Sequence, residues 1–247
     1  AGIAYTLAAF DGGDAANAIP SHAQAVIVLP ADQVEKAQDI LAAGAADHKL
    51  VYTDIETSIS LTAEPAALPE QTVSPADTKA IEQLLNLLHT GVFAMNRHLH
   101  ELPDLSANIG TIQLADDMVT IQYFPRSSSD ARLREFFVSL PVFADVTGFD
   151  FAATAPSPAW VENTHSVLTP AMAKVFEQKL APLPHVEAIH GGLETGYFFA
   201  MNPDLDIVSV GPTTNAIHSA DESVDLDTVA DITKVIAGTL AVLATEK

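Results

Sequence analysis

The apolar residues of this chain change spacing repeatedly, from alternation to helical recurrence and back. That pattern limits the fold to classes in which strands and helices share a core. Gly2 to Phe10 reads as a strand ending at the turn residues Asp11-Gly12-Gly13-Asp14, and Gln24 to Leu29 is a second apolar run that stops at Pro30. Behind Asp32, a candidate cap, Val34, Ala37, Ile40, Leu41 and Ala45 recur at helical spacing. Val51, Thr53, Ile55, Thr57, Ile59 and Leu61 then alternate, which predicts a half-buried strand. Residues 63 to 74, rich in Pro, Ala and Glu, form a connecting loop.

Ser74-Pro75 opens another helix, with proline in its first turn and Ile81, Leu84, Leu85 and Leu88 on one face. Leu105 to Leu114 and Met118 to Phe124 flank Ala115-Asp116-Asp117 and predict a hairpin. Ser128 or Ser129 can cap a helix carrying Leu133, Phe136, Phe137 and Leu140, with Val142 to Phe151 following as a strand. The mixture reads as an α+β layer with antiparallel pairing. Composition changes at Ala155-Pro156-Ser157-Pro158-Ala159, a stretch suited to a domain crossing, so residues 1–154 and 155–247 are expected to be separate domains. The second reads as alternating strand and helix: a helix near 167–180, strands near 185–190 and 207–211, and a final helix. In that last helix Val229, Ile232, Ile236, Leu240 and Leu243 make the buried stripe and Asp227 the N-cap. About ninety residues are few for a full doubly wound sheet, so this segment is expected to complete one begun elsewhere. An N-terminal Ala1 running almost at once into a strand suggests a start inside a larger protein.

Charge narrows the partners. With 32 Asp and Glu against 11 Lys and Arg, the formal net charge of −21 repels phosphate backbones and anionic membrane surfaces, so neither nucleic acid nor membrane is expected. The absence of cysteine excludes disulfides, thiol catalysis and cysteine-type zinc sites, and is compatible with the cytoplasm. No uninterrupted apolar stretch reaches about 18 residues.

Four features could carry chemistry, and each also has a plain structural reading. Asn17, before Ala18-Ile19-Pro20, stands where polarity or geometry is special, and its plain reading is a turn cap. Arg126 is a solvated strand end or a planar fork for a carboxylate. Gly191-Gly192, within His190-Gly191-Gly192-Leu193-Glu194-Thr195-Gly196, is a tight turn or a place where a ligand approaches the backbone. His218, in the loop from Gly211 to Glu222, is an ordinary loop histidine or a metal ligand that needs partners. His98 and His100 read as solvated residues of a surface loop.

Taken in order, Gly12-Gly13 with Asn17-Ala18-Ile19-Pro20, Asn108-Ile109-Gly110, Arg126-Ser127-Ser128, the His190 to Gly196 run, and Gly211-Pro212 followed by His218-Ser219-Ala220-Asp221-Glu222 resemble the aminoacyl-histidine dipeptidases. These are zinc exopeptidases of the carnosine-cleaving type. The resemblance covers essentially the whole chain, with one departure: the family's Leu-Glu-Cys-Gly is Leu193-Glu194-Thr195-Gly196 here. It implies an α/β protein in which residues 1–154 form most of an α+β lid, or dimerisation, domain. Residues 155–247 would be the C-terminal segment of a zinc-exopeptidase-type α/β catalytic domain. It further implies a homodimer, a dipeptide substrate and two zinc ions in the intact enzyme. Asn17, Arg126 and the Gly192 backbone would contact substrate, Arg126 at the terminal carboxylate, and His218 would bind one zinc.

Other parts of the family pattern are absent from the sequence. No His-x-Asp, no Glu-Glu pair and no Gly-Gly-His-Ser-Gly motif occurs. In the intact enzyme zinc-activated water would attack the dipeptide carbonyl while a glutamate moved the proton. The isolated chain is therefore expected to lack dipeptidase activity and to hold no catalytic residue of its own. A stand-alone dimerisation or peptide-binding module, and an N-acyl amino acid deacylase of the same fold, are the alternatives.

Overall fold

The computed structural model describes residues 2–96, 102–155, 157–158, 160, 163, 165–179, 186–187, 189–190, 192–217 and 221–245. The chain divides into two compact units, each assembled from separated segments. The first comprises Ala1–Gly91, Ser106–Pro125 and Phe136–Ala152; the second comprises Val92–Leu105, Arg126–Glu135 and Ala153–Lys247.

In the first unit β1 (Thr6–Gly12) pairs antiparallel with β2 (Ala23–Val28) on one side and with β4 (Pro103–Ala115) on the other. β5 (Met118–Ser127) folds back onto β4, as the hairpin pattern predicts. Asp116 and Asp117 make this turn possible at φ 51° and 60°, left-handed conformations that aspartate tolerates and tight hairpin turns require. The register of β1 against β2 shifts between Leu7 and Ala9, and there the Leu7 amide donates to Thr78 Oγ1 at 3.2 Å. Thr78 belongs to α2 (Pro75–Leu87), so the irregularity ties strand to helix. Ser74 caps α2 by accepting from the Asp77 amide at 3.0 Å, as its sequence predicts. Leu84 and Leu88 pack with Leu140 of α4 (Leu140–Thr147) beneath Ile109, Ile121, Tyr123 and Phe136. Each such side chain contributes about 1.5–3 kcal/mol when fully buried.

Several expected elements differ. The alternating residues 51–61 form no strand: α1 (Val34–Val51) runs on through Lys49, turns follow, and Ile55 is 85% exposed. His48 and Lys49 in the last turn suit the negative end of the helix dipole, while no neighbouring strand pairs with these residues. A short 3-10 turn, Ala31–Gln33, precedes α1, and Asp32 makes no side-chain cap. Residues 142–151 are also not a strand, because Pro141 restarts a helix behind α3 (Asp130–Phe137). Leu140, Ala144 and Thr147 fall on its buried face, and Gly148 ends it at φ 75°. Sequence reading also missed β3 (Gly91–Met95), which pairs with β4.

The second unit centres on α5 (Leu168–Lys179) packed against α7 (Leu226–Thr245). Met172, Val175 and Val235 form its core, with Phe176, Val208, Val210 and Val242 around them. Ile207–Val210, expected as a strand, has no strand pairing, yet its alternate residues Val208 and Val210 both face this core. The described residues of 185–190 likewise form no strand. The stripe expected on α7 is rotated: Val229, Ile236 and Leu240 are exposed, while Val235 and Thr239 are buried. Its cap is Asp225, whose carboxylate accepts from the Asp227 amide at 3.0 Å, and not Asp227. By length and composition α7 could cross a membrane, with a mean hydropathy of 1.4 over its most apolar window. Asp231 and Lys234 interrupt it as a 2.9 Å ion pair.

Candidate functional site

Arg126 sits next to last in β5, and its guanidinium Nη1 donates to the backbone carbonyl of His190 at 3.4 Å. Two motifs 64 positions apart thereby meet within the second unit. The His190 imidazole donates in turn to the Pro103 carbonyl at the start of β4. Burial holds the His190 pKa below its usual value and the Arg126 charge lowers it further, against the opposing pull of the Pro103 bond and the Asp104 charge. A guanidinium of fixed planar geometry is a group that can recognise a carboxylate.

Gly192 follows two residues after His190, with Gly191 between them outside the described residues. A Cβ on Gly192 would meet Ser157 Cβ at 3.5 Å, an ordinary contact, so packing does not demand glycine there. At the start of α6 (Thr195–Met201) the Thr195 hydroxyl is buried without a hydrogen-bond partner. This is the position where the resembling family has cysteine, whose weakly polar thiol costs less to bury than a hydroxyl.

Asn17 lies in the exposed β1–β2 loop of the first unit. Asn108-Ile109-Gly110 holds that loop: Asn108 Nδ2 donates to the Ala18 carbonyl at 2.7 Å, and a Cβ on Gly110 would lie 2.2 Å from the Ala16 carbonyl oxygen. Gly13, at φ 74°, approaches Gly110 so closely that a Cβ would overlap its carbonyl. Two motifs distant in sequence are one local structure. Asn17 and Arg126 belong to different units.

His218, with Ser219 and Ala220, lies outside the described residues, as do His98 and His100. Its loop is closed by the short ribbon of β6 (Thr214–Asn215) and β7 (Ser223–Val224). The ribbon is fastened to α7 by the Thr213 amide donating to Thr228 Oγ1 at 2.9 Å, and by the Asp225 amide donating to the Thr213 carbonyl at 2.8 Å. Among the described residues no three His, Asp or Glu side chains group to hold a metal. These donors do not fit a zinc ion by themselves, which takes about three protein ligands at a catalytic site.

Sequence reading missed Asp104. Its carboxylate accepts from Ser128 Oγ at 2.5 Å and pairs with Arg132 Nε at 2.9 Å, and its backbone carbonyl accepts from the Ser128 amide at 3.2 Å. A lone aspartate opening a strand carries no signal in sequence, since its partners lie 24 and 28 positions away.

No family model matches the chain. It is 27% identical over 221 residues to the cytosol non-specific dipeptidase of Escherichia coli (strain K12), an alignment covering 89% of this chain and 45% of that protein. Its fold matches the crystal structure of aminoacylhistidine dipeptidase from Vibrio alginolyticus with a TM-score of 0.81 and 28% identity, over 96% of this chain and 49% of that one. The chain thus spans about half the length of the relatives it matches. Over that half, sequence and mixed α/β fold together establish its resemblance to the aminoacyl-histidine dipeptidases.

Proposed function

We propose that this chain is the substrate-recognising part of a dipeptidase-type hydrolase, and that Arg126 grips the C-terminal carboxylate of a dipeptide. The observation that carries this reading is the hydrogen bond from Arg126 Nη1 to the His190 carbonyl, which brings a carboxylate-type guanidinium to the loop leading into Gly192. Gly192 then offers backbone groups to the peptide. His218 contributes one ligand to the zinc site of the intact enzyme. Residues 1–154 serve as lid and homodimer contact, and the enzyme works on Xaa-His type dipeptides in the cytoplasm. The names of the two relatives, a cytosol non-specific dipeptidase and an aminoacylhistidine dipeptidase, support the dipeptidase activity, the Xaa-His substrate and the cytoplasmic location.

Calorimetric titration of the chain with β-alanyl-histidine and with its C-terminal amide tests the reading. The free acid binds more tightly than the amide. Arg126→Lys keeps the charge and loses the planar fork, and it weakens the acid by about tenfold while sparing the amide. Equal losses for both ligands would reject the carboxylate role.

A further inference from the structure

We infer that Asp104 is a positioning residue for the carboxylate grip, setting Arg126 through Ser128 and Arg132; this rests on the carboxylate role proposed for Arg126. Asp104 opens β4 and holds the far end of β5 at three points. One carboxylate oxygen accepts from Ser128 Oγ, the other pairs with Arg132 Nε, and the backbone carbonyl accepts from the Ser128 amide. Ser128 is two residues beyond Arg126, and Arg132 lies in the first turns of α3. The neighbouring Pro103 carbonyl holds the His190 ring, so one short piece of β4 fixes both Arg126's strand and the loop that Arg126 touches. Every one of these residues belongs to the second unit.

The carboxylate is well sheltered, its side chain 15% exposed, which strengthens its bonds relative to a surface pair. Arg132 also does a second task. An aspartate this close to the grip would otherwise repel a substrate carboxylate, and the ion pair offsets that repulsion.

Electrostatics and positioning predict opposite signs for Asp104→Asn. Deleting a negative charge beside an anion site, and freeing Arg132, raises anion affinity if charge alone matters. A lost brace lowers it. The expected result is about a tenfold loss of β-alanyl-histidine affinity in Asp104→Asn, with part recovered in Asp104→Glu, a similar loss in Ser128→Ala, and the amide unaffected. Unchanged or tighter binding of the acid would overturn the inference.

A second readout needs no ligand. In the free chain slowed rotation about the guanidinium is expected to leave the Nη resonances of Arg126 resolved by NMR, and Asp104→Asn to average them. Averaged resonances already in the wild type, or resolved ones surviving in Asp104→Asn, would refute the positioning role. If the wild type fails to distinguish acid from amide, the carboxylate reading falls, and the resonances alone decide whether Asp104 positions Arg126.

Discussion

His190 joins two parts of the candidate site, through its carbonyl to Arg126 and its ring to Pro103. Its pKa is lowered, chiefly by burial, so the folded chain holds its proton less tightly than the unfolded chain does. The stability linked to His190 is therefore fully present above the unfolded value, 6.5, and is lost as pH falls through and below it. Melting temperatures measured from about pH 7.5 to about pH 5 should fall less in His190→Gln than in the wild type. An identical fall would remove the proton linkage. Arg126, the paired glycines and the loop residue His218 were visible in sequence as candidates, because each residue type has few chemical uses. Their bracing was not, because Asp104 and Asn108 act through partners that only the folded strands bring close.

Among the elements, α7 makes a specific packing demand on α5. Gly238 faces Val175 of α5, and a Cβ there would lie 2.7 Å from Val175 Cγ1, a buried and β-branched side chain that cannot turn away. Replacing a mid-helix glycine by alanine gains about 1 kcal/mol in propensity. Overpacking costs about 1–3 kcal/mol, so the clash wins. Gly238→Ala should lower the melting temperature by a few degrees, whereas Gly44→Ala in α1, with nothing within 4 Å of the added carbon, should raise it. A rise in both would show that α5 and α7 have room between them for the extra carbon. Elements whose period and punctuation agree were legible: the hairpin at Asp116-Asp117, α2 behind Ser74-Pro75, and α5. Residues 51–61 were misread because β-branched residues at alternating positions suit a strand only when another strand pairs with them, and residues 142–151 because a short, largely apolar run reads as strand or helix alike. The first lack such a partner, and the second follow a proline that favours a helix start. On α7 the apolar residues encircle much of the helix, so their spacing reveals the helix but not which stripe faces α5.

At the scale of the whole molecule, the ordered motifs were the strongest signal in the sequence, and they carried the resemblance that sequence and fold comparisons then supported over about half of each relative. In the structure Arg126 meets the loop leading into Gly192, and the loop carrying Asn17 is held by Asn108 of β4. The most direct measurement is the release of free histidine from β-alanyl-histidine by this chain, with zinc present, at a peptide concentration that saturates binding. The expected result is a bound peptide that is not cleaved. Zinc-dependent release of histidine, lost in His218→Ala, would contradict it.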